Sequence, residues 1–101
     1  RPGACLDAAG EEQPLRDRFG KPRITAGGAR SHVKLSTLGA GPVVSVSPGP
    51  GDALLCRPVP GVLVQSSGGH PVSPAGTVLA PDQFVLVGDP PVRLTYVKRK
   101  R

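Results

Sequence analysis

The chain has 101 residues, thirteen prolines, fourteen glycines and a net charge of +6. That length bounds it to one domain, with or without tails. Proline and glycine at this density exclude a helical bundle, and with only Phe19, Phe84 and Tyr96 aromatic the core must be aliphatic. A small aliphatic core is marginal by itself, so a partner surface is expected to supply part of the burial. No apolar run approaches the roughly 20 residues that a membrane-spanning helix needs.

Residues 1–31 read as an extended, non-globular N-terminal arm. Pro2-Gly3, Gly10, Pro14, Gly20-Lys21-Pro22 and Gly27-Gly28 interrupt any periodicity every few residues. Leu15, Phe19 and Ile24 are the large apolar side chains expected to dock. Arg16, Arg18, Lys21, Arg23 and Arg30 form a loose basic string that His32 and Lys34 continue. Such spacing suits an extended peptide on phosphates, with contacts that are salt-sensitive and blind to base sequence. Asp7, Glu11 and Glu12 oppose that role for residues 1–12.

A β body is expected over residues 32–97. Val33 and Leu35 alternate with Lys34 in a first strand, and Val43 to Val46 supply a second. Ser47 to Asp52 make a reversal, and Ala53 to Cys56 a short buried strand. Arg57 to Gly61 read as another turn or bulge, and its prolines, 58 and 60, confine that segment to an edge. Val62 to Gln65 and Thr77 to Leu79 are further strands. Phe84 to Val87 read as a buried strand, and Gly88-Asp89-Pro90-Pro91 as a tight turn. In the last strand Val92, Leu94 and Tyr96 share one face, with Arg93 and Thr95 on the other. Six to seven short strands of this kind predict an all-β fold, a small sandwich or partly open barrel. Lys98 to Arg101 form a basic C-terminal tail.

Charge is distributed unevenly. Residues 1–34 carry net +3, residues 35–92 net −2 and residues 93–101 net +5. A near-neutral body with cationic ends is the pattern of a protein anchored on a polyanion. Sheet-face stacking of bases needs two or three aromatic side chains, so contacts to backbone and shape are expected instead.

Little chemistry beyond this is legible. Cys5 lies in the arm and Cys56 in an apolar run, which argues against a structural disulfide and for a buried, reduced Cys56 in an intracellular protein. His32 and His70 have no carboxylate or cysteine partner at a recognisable spacing, and Cys56 with His70 makes no zinc pattern. No serine sits in a nucleophile elbow. A biotin- or lipoyl-carrier is excluded because no lysine lies between Lys34 and Lys98. No catalytic residue, metal, cofactor, small-molecule substrate or membrane is expected.

Residues 33–97 resemble the large-subunit ribosomal protein family number twenty-seven, of bacterial and organellar type. Val33-Lys34-Leu35 leading to Gly39-Ala40-Gly41 is similar to the opening of that family's body, and Pro50 to Leu55, with Arg57, to its next block. Ser73-Pro74-Ala75-Gly76, Val78, Asp82, Phe84 to Val87, Gly88-Asp89 and Val92 to Tyr96 follow the family's order. Ser73 and Pro81 stand where the family has a histidine and a basic residue. The resemblance implies a basic arm directed toward the peptidyl-transferase centre and a β body packed on ribosomal RNA.

A structural constituent of the large ribosomal subunit is therefore expected, with the mitochondrial ribosome as its location and neighbouring ribosomal proteins as further partners. A presequence removed upstream of Arg1 would fit that location. The expected RNA contacts are Arg16, Arg18, Lys21, Arg23, Arg30, His32 and Lys34, then Arg57, His70 and Arg93, then Lys98, Arg99, Lys100 and Arg101. The alternative is a β-rich virion coat, connector or other protein-assembly subunit; a nuclear protein using the terminal bases as an import signal is a third reading.

Overall fold

The computed structural model describes residues 3–15, 24–28, 30–39 and 41–99. Ten strands lie among them: β1 (Gly3–Ala8), β2 (Glu11–Pro14), β3 (Ile24–Gly27), β4 (Val33–Lys34), β5 (Pro42–Pro48), β6 (Leu54–Pro58), β7 (Val64–Ser66), β8 (Thr77–Leu79), β9 (Phe84–Val87) and β10 (Val92–Arg99). One 3-10 turn, Ser36–Leu38, follows β4. Two five-stranded sheets result, ordered β2-β1-β10-β9-β7 and β4-β3-β5-β6-β8. Among the described strands only β3 and β4 pair in parallel. The fold is an all-β sandwich, as the strand spacing implies.

Alternation along each strand builds one core from both sheets. Leu6, Ala8, Val64, Val85, Val87, Leu94 and Tyr96 come from the first sheet, and Ile24, Ala26, Val44, Val46, Leu54, Cys56 and Leu79 from the second. Leu15 and Ile24 dock there as expected; Phe19 lies outside the described residues. The core is aliphatic apart from Cys56 and Tyr96, and the Tyr96 hydroxyl donates to the Asp52 carbonyl at 2.7 Å. A buried phenol needs such an acceptor, and this bond ties β10 to the β5–β6 reversal of the opposite sheet.

All seven strands expected in residues 32–97 are present, although Arg57 and Pro58, expected in an edge segment, end the inner strand β6, where Pro58 lies past the last residue paired with β8. Four further expectations need correction. First, residues 3–14 and 24–27 are not an arm. Ala4, Leu6 and Ala8 alternate with Cys5 and Asp7, and β1 lies between β2 and β10 with a register running from Gly3 opposite Arg99 to Ala8 opposite Leu94. Leu6 is fully buried. Ala9 and Gly10, at φ 53° and 88°, form the two-residue connection to β2. Positive φ at both positions matches the right-handed twist of the paired strands. Second, the body consequently does not begin at residue 32, and the strands exceed the six to seven foreseen.

Third, β10 continues through Lys98 and Arg99, so those two residues belong to a sheet and not to a tail. Fourth, β9 is not buried on both faces. Val85 and Val87 point inward while Phe84 and Leu86 are half-buried on the outer side, because each sheet of a sandwich covers only one face against its partner.

The register sorts the turns between two ends. One end holds the β1–β2 turn, the β4–β5 connection, residues 59–63 and the β9–β10 turn; the other holds the β5–β6 reversal, the start of β1 and the end of β10. At the first end β3 runs close against the start of β5. A Cβ on Gly27 would lie 2.7 Å from both the Gly41 carbonyl oxygen and the Val43 nitrogen, so only glycine permits this approach.

Leu6→Ala should lower the unfolding free energy by about 2–5 kcal/mol, read from urea denaturation. Removing residues 1–15 should abolish the cooperative transition, whereas removing an appended arm would leave its midpoint unchanged.

Candidate anion-binding site

Four of the sequence-predicted residues lie apart from one another. Arg57 is half-buried on the outer side of β6, opposite Ser45, with Gly76 against its Cγ. Arg93 lies on the outer side of β10, its guanidinium carbon 4.2 Å from the centroid of Phe84. His70 is exposed in the turn after β7, where its N–H donates to Ser66 Oγ at 3.3 Å. Lys98 Nζ donates to Asp52 Oδ1 at 2.7 Å, and that bond raises the lysine pKa above its ordinary value. Arg99 is placed by its backbone in β10, opposite Gly3. Arg16, Arg18, Lys21, Arg23, Lys100 and Arg101 lie outside the described residues.

Arg30, His32 and Lys34 are the predicted residues that the fold groups together. Arg30 and His32 lie in the short connection from β3 to β4, and Lys34 is the second residue of β4, paired with Gly27. Gly28 N donates to the Gly41 carbonyl at 2.9 Å, Ser31 N to the Gly28 carbonyl at 3.1 Å, and Leu35 N to the Gly27 carbonyl at 2.6 Å. These bonds fold the loop back on the start of β5. Arg30 is exposed, with its guanidinium beside Gly41.

His32 is fixed by β3. Thr25 N donates to His32 Nδ1 at 3.0 Å, and His32 N donates to Thr25 Oγ1 at 3.1 Å. Because a backbone N–H can only donate, Nδ1 is the acceptor and Nε2 carries the proton. Lys34 Nζ donates to the Ser31 carbonyl at 3.4 Å, which brings the ammonium over the loop.

Ser31, between these cations, is the residue that sequence reasoning missed. It is 3% exposed, and its hydroxyl has no hydrogen-bond partner. Buried hydroxyls are nearly always paired, and leaving one unpaired costs about 1–3 kcal/mol. Nothing in a Gly-Gly-Ala-Arg-Ser string signals this, since a serine between polar and small residues carries no mark of burial.

The loop adjoins a seam between the edge strands of the two sheets. One groove of about 300 Å³ is lined by Glu11, Gln13, Lys34, Leu35, Ser36 and Gly39. A second, of about 160 Å³, is lined by Gln13, Pro14, His32, Val33 and Lys34. Glu11 fastens the seam: its Oε1 accepts from Ser36 N and from Ser36 Oγ, each at 2.8 Å. Those two donors lower its pKa below the ordinary carboxylate value. The pair is separated by 25 residues, so no local pattern announces it.

Elsewhere, burial pushes the Cys56 thiol up to about 12, which leaves it protonated and inert. Among the described residues no group of three or more His, Cys, Asp or Glu side chains converges. Comparison with known proteins gives no relative: no family model, no curated protein and no solved structure matches the chain.

The lowered pKa of Glu11 has a definite sign. Its clamp on Ser36 stabilises the fold above the ordinary glutamate pKa, near 4.3, and that contribution disappears as the pH falls through the lowered folded-state value. Glu11→Gln should therefore unfold more readily than the parent at neutral pH. The difference should vanish in acid, which denaturation at a series of pH values would measure.

Proposed function

We propose that this chain is a non-catalytic β-sandwich module that binds a phosphate-bearing macromolecule through the β3–β4 loop, with ribosomal RNA the partner that its sequence resemblance implies. In its most specific form the reading makes it a structural constituent of a large ribosomal subunit, in the mitochondrion. The observation that carries the binding site is the buried hydroxyl of Ser31, unpaired between two exposed cations, Arg30 and Lys34. A phosphate drawn to the two exposed cations would form charge-assisted bonds to them, and a shift of the loop that opened Ser31 would give its hydroxyl an acceptor on the same group. Gly28, ahead of Arg30, and Gly41, beside its guanidinium, keep the backbone slim where a phosphate must approach.

The non-catalytic reading is supported by the state of the candidate acids and bases. His32 already commits Nδ1 to Thr25, and Cys56 is held as a buried thiol. Glu11 borders the larger groove but is engaged with Ser36, so its charge is met by two donors. The described cations are spread over several faces, which favours recognition of one or two phosphates at the loop over a continuous track along an extended arm.

Affinity for a ribosomal RNA preparation, measured at several salt concentrations, tests this reading. Log affinity should fall linearly with log salt, and Arg30→Ala and Lys34→Ala should each reduce the slope by about one unit. Ser31→Ala should weaken binding while leaving the unfolding midpoint equal or higher, because it deletes an unpaired buried group. Binding that ignores salt, or that survives all three substitutions unchanged, would contradict the proposal.

A further inference from the structure

The outer face of the β2-β1-β10-β9-β7 sheet carries a charge pattern that the loop site does not use. Glu12, Asp7, Thr95 and Phe84 lie on one rung across β2, β1, β10 and β9. Arg93 sits two positions along β10, opposite Leu86, and lays its guanidinium over the Phe84 ring at 4.2 Å. The cation is thus displaced from its own strand toward β9, onto the rung that Asp7 occupies on β1. Phe84 and Leu86 are half-buried, Arg93 is exposed, and Asp7 is half-buried with Oδ1 accepting from Gly10 N at 3.2 Å. Cys5, further along the same face, is covered within the chain, so the open half of the face is the one around Asp7, Phe84, Leu86 and Arg93.

This arrangement is complementary to itself. β1 and β9 flank β10 on either side, so a two-fold axis parallel to β10 exchanges them and keeps every residue at its own height. Asp7 of one copy then faces Phe84 of the other, and so faces the guanidinium resting on that ring. The symmetry makes the contact twice. Sheets stack about 10 Å apart with strands within about 30° of parallel, a gap that a ring-stacked guanidinium and an opposing carboxylate can span. Leu86 and Phe84 supply the apolar centre, and a guanidinium held against a ring has lost little freedom when it meets its carboxylate.

We propose that this outer face is the contact surface for a second copy of the chain, with Asp7 of each copy set on the Arg93–Phe84 pair of the other. The proposal is independent of the anion-binding loop, which lies on a different edge of the sandwich.

Sedimentation of the full chain across a concentration series gives the dimer dissociation constant. Asp7→Arg and Arg93→Glu should each raise it by about tenfold or more, since each sets like charges opposite one another at both contacts. An equimolar mixture of the two variants should regain the parent constant. In the mixed dimer the two introduced side chains meet with opposite charges at one contact, and the unchanged Asp7 and Arg93 meet at the other. Should Asp7→Arg fail to fold, Asp7→Asn keeps an acceptor for Gly10 and should weaken the dimer in the same direction. A parent chain that stays monomeric at every concentration would overturn the proposal and leave the face to a different partner. It would be overturned equally by a dimer indifferent to these substitutions, or by a mixture no tighter than its components.

Discussion

Pairing of β1 with β10 is the constraint on which the rest of the sandwich depends. It joins the two ends of the described chain over six residue pairs and sets Leu6 opposite Tyr96 and Ala8 opposite Leu94. Burying a leucine of this kind stabilises by about 1.5–3 kcal/mol relative to exposure. The pairing also fixes where β2 falls. With β1 in the sheet, β2 becomes its edge and lies beside β4, the edge of the other sheet, where Glu11 can take both donors of Ser36. The β3–β4 loop hangs from that same seam, so the geometry around Ser31 is set by a contact between the chain's extremes.

Edges and charges follow the same logic. β2 presents Pro14 at its open side, and proline cannot donate to an added strand. β7 is covered by residues 70–72, through Val72 N to the Val64 carbonyl and Ser66 N to the His70 carbonyl. At the far end Lys98 is tied down by Asp52, while Arg30 and Lys34 remain exposed at the seam. Among the described residues, the exposed cations thus divide between this loop and the outer face of the first sheet, where Arg93 lies. On the face of the first sheet, the Arg93–Phe84 stack and the Asp7 carboxylate stand on opposite sides of β10, which gives that surface a direction as well as a charge.

The body was legible wherever burial is periodic. Val92, Leu94 and Tyr96 alternate strictly, and the turns around Gly49-Pro50-Gly51 and Gly88 to Pro91 stand where proline and glycine announce them. β1 escaped because its inward residues are Ala4, Leu6 and Ala8, and alanine gives almost no hydrophobic contrast against Cys5 and Asp7. Gly10, read as a breaker, is the hinge of a hairpin. At the site, Arg30, His32 and Lys34 could be named from charge alone, but Ser31 and Glu11 could not. One is distinguished by an unpaired, buried hydroxyl, the other by a bond across 25 residues. Tertiary contacts create both, and no window of sequence contains them.

Amide-resolved NMR during titration with inorganic phosphate tests the central claim most directly, because it locates the anion without assuming the partner. The account predicts saturable shifts concentrated at Arg30, Ser31 and Lys34, with the Gly41 amide following. Shifts confined to Lys98 and Arg99, or spread evenly over every exposed cation, would contradict it.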